Sequence, residues 1–232
     1  MYTEKQSGTS VFVYEKLKDQ ILHLELPPGQ AISEIDTAAK YQISRTPVRD
    51  AFKMLAREGL LEIRPHIGTF VSLIDLKTVS DILYIREILE QAVYKELSMR
   101  HDKSREFHIR LILEEQRKLL DAPLSEDELA RAFIISDNTF HRALYEMAGK
   151  DTVIDFISSI HSQYERFRTF LNFSDRAYLL RLCDDHQAIW ESIAMQDYEQ
   201  LADRISHHIY DGFNSSTESV HRHPEYFVSA RQ

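Results

Sequence analysis

The pattern of apolar and polar positions changes character once along the chain, near residue 75. Before that point, short apolar stretches alternate with turns that contain proline or glycine, as in a small domain of mixed helices and strands. After it, glycine and proline become rare and apolar residues recur every three or four positions, which is typical of packed helices. We therefore predict two domains, at residues 1–72 and 73–220, followed by a flexible tail at residues 221–232.

The first domain has the element order of a winged helix-turn-helix. Apolar residues at helical spacing predict three short helices, at residues 10–24, 33–41 and 44–55. Residues 60–64 (Leu-Leu-Glu-Ile-Arg) and 69–71 (Thr-Phe-Val) are short, mainly apolar stretches separated by a proline-containing turn, so they predict two short strands. Three helices followed by such a two-stranded wing describe a winged helix-turn-helix.

The third predicted helix has one apolar face and one basic face. Val48, Phe52 and Leu55 recur at helical spacing and predict contact with a core. The opposite face carries four polar or basic side chains, at Arg45, Thr46, Arg49 and Lys53. Because arginine can pair with guanine edges in the major groove and lysine with phosphates, we expect this face to bind DNA. A solvated surface helix is the alternative if the helix is considered alone. The flanking elements favour DNA binding.

Five motifs in this domain, at consistent distances between residues 11 and 71, resemble the DNA-binding domain of GntR-family transcription regulators. They are Leu-Pro-Pro-Gly, Ile-Ser-Glu, Ser-Arg-Thr-Pro-Val-Arg-Asp-Ala, Glu-Gly-Leu-Leu and Pro-His-Ile-Gly-Thr-Phe-Val. The chain departs from the family pattern at Gln42, where the family usually has glycine. The turn before the basic helix must therefore form without a glycine.

The resemblance also implies which residues contact double-stranded operator DNA. Arg45, Thr46 and Arg49 are expected at the operator. His66 and Gly68 are expected at the tip of the wing, near the minor groove.

The net charge of −9 is unevenly distributed along the chain. Residues 1–72 carry nine basic and nine acidic side chains, whereas residues 73–232 carry nineteen and twenty-eight. Residues 40–64 carry six basic and three acidic side chains, so positive charge is concentrated around the predicted DNA-facing helix. Because this excess is modest, we expect two heads to bind DNA together, with an affinity that falls as salt rises. We predict a homodimer formed through the C-terminal domain.

Composition places the protein in a reducing compartment and away from membranes. Cys183 is the single cysteine, so an internal disulfide is excluded and a cytoplasmic location is expected. The sequence contains no stretch of eighteen apolar residues and no signal peptide, so we expect no membrane association.

The second domain carries polar residues on faces that should be apolar. Six stretches of helical periodicity predict an antiparallel bundle of about six helices, so the protein as a whole is mainly α. Four polar residues from three of these helices fall on the inner stripes, at Asp137, His141, His186 and His208. His207 points about 100° away from its neighbour, so the periodicity selects only His208 from that pair.

This inward set indicates a divalent metal site. A single inward histidine is usually a hydrogen-bonded core residue, but three with a carboxylate are harder to satisfy internally. An unpaired buried carboxylate is costly, and a metal ion would satisfy it together with the imidazoles. Oxygen and imidazole ligands without a thiolate suit zinc, nickel, manganese or iron. Periodicity alone leaves a purely structural polar cluster as an open alternative.

The same arrangement resembles the FCD effector domain that accompanies GntR-type heads in the FadR-like subfamily. An Asp-x-x-x-His pair at Asp137 and His141 is followed by His186 and, twenty-two residues later, by His208. The resemblance covers about residues 75–215 and implies a bound metal and a small carboxylate effector, such as a sugar acid, a hydroxy acid or a dicarboxylate.

Arg86 begins an Arg-x-x-Leu-Glu element that also matches this family. Arg86 and Glu90 are four residues apart, so an ordinary helix ion pair is one interpretation. A role for Arg86 in binding the effector is the other.

These observations together predict a ligand-responsive transcription regulator, specifically a repressor, and not an enzyme. One alternative is a metal-dependent enzyme, because three histidines and one aspartate with an open position could activate water. Against it, no further acid or base stands out near the site. A second alternative is a regulator whose helical domain only dimerises, with a polar cluster that is purely structural.

Overall fold

A computed structural model describes residues 2–100, 106–171 and 175–228, with side chains from Gly8 onward. Within these ranges the chain forms two compact units. The first, here called the head unit, comprises residues 2–76, 162–170 and 220–228. The second, here called the bundle unit, comprises the described residues of the segments 77–161 and 171–219.

The head unit contains the predicted winged helix-turn-helix. Its three leading helices are α1 (Tyr2–Leu22), α2 (Glu34–Tyr41) and α3 (Arg45–Arg57). Its strands are β1 (Ala31–Ile32), β2 (Leu61–Arg64) and β3 (Gly68–Val71). The strands form an antiparallel sheet in the order β1-β3-β2, with Leu61 opposite Val71 and Arg64 opposite Gly68. The wing therefore has the two predicted strands, and the short strand β1 adds to its other edge.

Local sequence explains where the helices of the head begin and end. Ser33 caps α2 by accepting hydrogen bonds from the backbone N–H groups of Ile35 and Asp36. Gln42 ends α2 in the left-handed conformation, at φ 56°. A longer side chain thus fills the place where the family usually has glycine. Gly59 follows α3 with φ 70°, where glycine carries no steric penalty.

The core of the head is formed by α1, α2, α3 and the wing. Its buried residues are apolar: Val13, Leu17, Ile21, Ala38, Val48, Ala51, Phe52, Leu55, Leu60, Leu61 and Val71. Because the apolar face of α3 packs against this core, its basic face points outward.

Two segments from late in the sequence also belong to the head unit. Helix α8 (Ser162–Phe170) is one of them. The other includes the short 3₁₀ helix Pro224–Tyr226, after which Phe227 pairs with Ile74 in a parallel bridge and is buried. Residues 220–228 therefore differ from the predicted flexible tail, because Phe227 finds apolar partners such as Phe170, 4.9 Å away between ring centroids. Residues 229–232 lie outside the described residues.

The bundle unit is helical. Its helices are α4 (Leu76–Met99), α5 (Glu106–Leu119), α6 (Glu126–Met147), α7 (Asp151–Ser159), α9 (Arg176–Met195) and α10 (Tyr198–Ser215), and α11 (Thr217–Arg222) follows in the chain. Helix α5 packs on α6 and α9, and α9 packs on α10. The predicted fold class, a winged helix-turn-helix followed by a helical domain, is confirmed. None of the helices in the described ranges is both long enough and apolar enough to cross a bilayer.

One of the six stretches of helical periodicity, residues 153–171, forms two helices instead of one. Apolar periodicity runs continuously from Val153 to Leu171, but α7 ends at Ser159 and α8 begins at Ser162. The break coincides with the border between the two units, because α7 belongs to the bundle unit and α8 to the head unit. Periodicity identifies the apolar face of each segment but does not reveal that the two segments pack in different cores.

Candidate functional site

The four predicted metal ligands lie together inside the bundle unit. Asp137 and His141 lie one turn apart on α6, His186 comes from α9 and His208 from α10. All four are buried, and one potential ligand atom from each lies within 4.8 Å of all the others. His207, in contrast, is exposed.

The imidazole Nε2 atoms converge on one point. Nε2 of His208 lies 3.2 Å from Nε2 of His141 and 3.2 Å from Nε2 of His186. Oδ1 of Asp137 lies 3.3 Å from Nε2 of His186. The cluster thus directs three nitrogens and a carboxylate oxygen toward the same small volume.

A second ring of polar residues faces the other nitrogen of each imidazole. Nδ1 of His186 lies 2.7 Å from Oε1 of Gln116 and must donate to it, because an amide oxygen only accepts. Nδ1 of His141 lies 2.9 Å from the hydroxyl of Tyr94 and 3.2 Å from Oε2 of Glu90. Such partners orient ligand imidazoles and set their tautomers.

His208 has a more distant partner of the same kind. Its Nδ1 lies 3.5 Å from Oδ2 of Asp185, which is an ion-pair distance but a long one for a hydrogen bond. All three Nδ1 atoms therefore face an oxygen, and the Nε2 atoms face inward.

Burial favours the neutral form of His141 and His186. Desolvation, followed by the neighbouring His208, lowers the pKa of His186 to about 3. Desolvation also lowers the pKa of His141. The ring of Phe140 stacks on His186 at 4.4 Å between centroids and contributes an apolar wall. The neutral imidazole is the form that binds a metal.

The donor set fits a divalent metal ion. With its proton on Nδ1, His186 presents an Nε2 lone pair to the carboxylate of Asp137, and two electron-rich atoms at 3.3 Å repel unless a cation or proton lies between them. Three imidazole nitrogens and one carboxylate oxygen are ligands that zinc, nickel, manganese and iron accept. The cluster can therefore hold a metal ion.

Arg86 lies beside this cluster, but its charge is already paired. Its Nε donates to Oε1 of Glu90 at 2.8 Å, and both side chains are buried. A terminal nitrogen of Arg86 lies 3.5 Å from Nε2 of His141. Burial by itself raises the pKa of Glu90, but the adjacent Arg86 guanidinium, followed by the contact with His141, outweighs burial and holds it well below its usual range. Both sequence-based interpretations of Arg86 thus remain compatible with its position.

The predicted DNA-facing residues of α3 are exposed. Arg45, Thr46 and Arg49 are accessible on the outer face, as is Lys53, which lies 3.7 Å from Asp50. Opposite them, the apolar face of α3 is buried in the core of the head. The exposed face is therefore free of any packing role and can enter a groove of DNA.

The wing tip carries the other two predicted residues. His66 is exposed in the turn between β2 and β3, and Gly68, also exposed, is the first residue of β3. His66 has φ 62°, a left-handed conformation that histidine adopts more readily than β-branched residues do. Nearby, Arg64 pairs with Glu62 at 2.8 Å and lies over the ring of Phe70. The backbone turn thus presents the wing tip to solvent.

Sequence reasoning missed several residues that surround these sites. Glu34 contacts both Arg45 and Arg49, and no periodicity signals an acid at a basic surface. Gln116 had a signal, because it is a polar residue on the apolar stripe of α5, and the structure places it against His186. Tyr94 had none, since a tyrosine on an inner stripe is unremarkable until its hydroxyl partner is known.

Two family models account for most of the chain. The FCD domain matches residues 81–211, and the model described as bacterial regulatory proteins of the gntR family matches residues 9–71. The chain belongs to the GntR family of bacterial regulatory proteins. It is a DNA-binding transcription regulator with an FCD domain, and the related proteins are transcription regulators and not enzymes.

Relatives and solved structures agree with this assignment. An HTH-type transcriptional regulator in an unstable DNA locus of Streptomyces ambofaciens is 31% identical over 94% of this chain and 89% of its own. The HTH-type transcriptional repressor RspR of Escherichia coli is 27% identical over 86% of this chain and 85% of its own. Escherichia coli McbR/YncC has a similar fold, with a TM-score of 0.68 and 17% identity over 89% of this chain and 95% of that one.

Proposed function

We propose that this GntR-family regulator is a ligand-responsive repressor that senses a small organic acid at a metal-containing pocket in the bundle unit. The observation that carries the proposal is the buried group of Asp137, His141, His186 and His208, with their ligand atoms within 4.8 Å of one another. In a purely structural cluster the buried polar atoms would be expected to pair as donor and acceptor, whereas here three imidazole nitrogens and a carboxylate oxygen converge.

The four residues would hold the metal, and the second ring would keep them in place. A bound metal ion supplies Lewis acidity and positions for an oxygen ligand. An ion that prefers six ligands would keep two positions beyond the four protein donors, which a hydroxy acid or another small carboxylate could occupy. The outer residues Gln116 and Glu90 would orient the imidazoles for this purpose.

We propose that Arg86 binds a second acidic group of the effector. Its terminal nitrogen lies at the edge of the cluster, 3.5 Å from His141. Its Nε is held by Glu90, so the terminal nitrogens remain in a fixed orientation. A dicarboxylate or sugar acid could use them while its other end ligates the metal.

On the DNA side, we propose that α3 and the wing read a palindromic operator. Arg45, Thr46, Arg49 and Lys53 would enter the major groove, and His66 and Gly68 would lie at the minor groove. Because one head offers few contacts, we propose that a homodimer formed through the bundle unit places two heads on two half-sites. Sedimentation should then show two protomers for each operator.

We propose that effector binding releases the protein from DNA. The relative from Escherichia coli bears the name of a repressor, which supports repression in the absence of effector. The ligands come from three helices, so an effector that ligates the metal can change how those helices pack. Such coupling must be reciprocal: DNA must weaken effector binding by the same factor as effector weakens DNA binding.

Asp137→Ala tests this proposal against a polar cluster that is purely structural. The wild-type protein and the variant are loaded with manganese or zinc and dialysed, and their metal content is measured by elemental analysis. A panel of organic acids is then screened for thermal stabilisation, since a ligand at 100 times its Kd adds about 2.7 kcal/mol. Operator binding is titrated with and without each acid that stabilises the protein.

The expected result is a folded Asp137→Ala protein that binds operator, holds little metal and no longer responds to the acid. His207→Ala is the matched control, because His207 neighbours a ligand but is exposed. A metal-free Asp137→Ala protein that keeps the full response would show that the metal is not the sensor. Wild-type protein that retains no metal after dialysis would favour the structural interpretation.

A further inference from the structure

Glu34 links the two arginines at the proposed DNA-reading surface. It is the first residue of α2, and its carboxylate faces the start of α3. Oε2 of Glu34 lies 3.5 Å from a terminal nitrogen of Arg45. Nε of Arg49 lies 3.4 Å from Oε1 and 3.3 Å from Oε2 of the same carboxylate. One acid of α2 thus contacts two of the three arginines of α3.

The atoms used in these contacts leave the arginines able to bind DNA. Arg49 uses only Nε toward Glu34, so its two terminal nitrogens remain for a bidentate pair with guanine O6 and N7. Arg45 uses one terminal nitrogen and keeps the other donors. Because the residues are four apart on one face of α3, a single carboxylate can restrain both guanidinium groups.

The negative charge of Glu34 affects contacts to DNA phosphates and contacts to DNA bases differently. A carboxylate at this surface repels phosphates, which are the target of sequence-independent binding. It does not prevent a guanidinium that it already orients from reaching a base edge. The contacts are long and half-exposed, with a quarter of the Glu34 side chain accessible, so they restrain the arginines only weakly. A correct base pair can therefore compete with them.

We propose that Glu34 is a positioning residue that directs Arg45 and Arg49 toward base edges and away from phosphates. It thereby raises the affinity for operator relative to other DNA. The proposal rests on the proposed DNA-contacting role of the two arginines. Glu34 is not one of the residues proposed to contact DNA.

The test compares Glu34→Gln with Asp36→Asn. Both variants remove one negative charge from the first turn of α2 without changing side-chain size, and Asp36 is exposed. Each protein is titrated by fluorescence anisotropy against two duplexes across a range of salt concentrations. One duplex is selected from a random-sequence library with wild-type protein, and the other is the unselected library. Circular dichroism checks that the variants are folded.

For Glu34→Gln we expect tighter binding to unselected DNA and a fall of up to about five-fold per head in the ratio of selected to unselected affinity. The slope of log affinity against log salt should steepen by about 0.9 for each phosphate that a released arginine gains. Asp36→Asn should leave the ratio near that of the wild type, because Asp36 changes only the net charge.

Two outcomes would overturn the proposal. If the ratio of selected to unselected affinity changed equally in Glu34→Gln and Asp36→Asn, the change in net charge alone would explain it. Weaker binding of Glu34→Gln to selected DNA, with no gain on unselected DNA, would mean that Glu34 contacts a base directly. Failure of the proposed DNA surface is recognised separately, because Arg49→Ala would then bind selected DNA as well as the wild type does.

Discussion

Arg166 of α8 donates from both terminal nitrogens to Ser72, the residue that follows the wing. One bond reaches the Ser72 hydroxyl at 2.9 Å, and the other reaches the Ser72 carbonyl oxygen. The hydroxyl of Ser72 in turn donates to the carbonyl oxygen of Gly59 at 2.6 Å. A helix from late in the sequence is thereby fastened to the base of the wing and to the end of α3.

Arg166 is fully buried, so replacing it should be costly. Burial lowers the pKa of its guanidinium to about 10, which still leaves it charged at neutral pH. Arg166→Ala would leave a cavity and an unpaired Ser72 carbonyl, and should lower the free energy of unfolding by about 2–4 kcal/mol. Arg166→Met fills most of the volume and avoids the cost of burying a charge, so it should lose less.

Urea unfolding followed by circular dichroism measures both changes. Arg110→Ala is the control, since Arg110 is an exposed arginine paired with Glu106 at 2.9 Å and should change stability by less than about 0.5 kcal/mol. If Arg166→Ala unfolded like this control, Arg166 would have no part in holding α8 to the head.

Arg49→Ala should weaken operator binding by about 1–3 kcal/mol and relax base preference at one position in each half-site. The reason is that Arg49 is exposed opposite the buried Val48 and Phe52, so its removal leaves the core of the head intact. Gel-shift titration with selected DNA measures the loss, and Arg110→Ala serves again as a charge-matched control. Equal affinities of Arg49→Ala and wild type would contradict the proposed surface.

Replacing each of two adjacent histidines by alanine, in separate variants, tests which face of α10 points toward the metal site. His208→Ala should strongly lower metal occupancy, because its Nε2 lies 3.2 Å from the Nε2 atoms of His141 and His186. His207→Ala should barely change it, because His207 is exposed. Elemental analysis after dialysis gives both values. Similar losses in the two variants would show that the metal lies elsewhere.

Gln116→Leu should lower metal affinity by about 10–100-fold while all four ligands remain. Its Oε1 accepts the Nδ1 proton of His186, and without that acceptor the imidazole loses its fixed tautomer and orientation. Competition with a chromophoric chelator, using zinc as the probe, measures the affinity. Gln187→Leu is the control, because Gln187 is an exposed glutamine one residue after the same ligand. Unchanged zinc affinity in Gln116→Leu would remove Gln116 from the site.

The sequence by itself determined the two kinds of architecture and the candidate ligands. Apolar spacing in α3 separated a buried face from the basic one, because a helix repeats every 3.6 residues and side chains on one face share one environment. The same reasoning selected His208 over His207, since neighbours on a helix point about 100° apart. These inferences needed only local periodicity, which the sequence records directly.

Tertiary structure decided which faces meet. Periodicity showed that His186 pointed inward, but only packing of α5 on α9 placed Gln116 against it. Tertiary packing also placed α8 in the head unit, where Arg166 contacts Ser72, ninety-four positions earlier in the sequence. Nothing in the spacing of Glu34 indicated that it would contact Arg45 and Arg49. The physical reason is that a helical repeat defines the direction of a side chain relative to its own axis, whereas its partners depend on how separate elements pack.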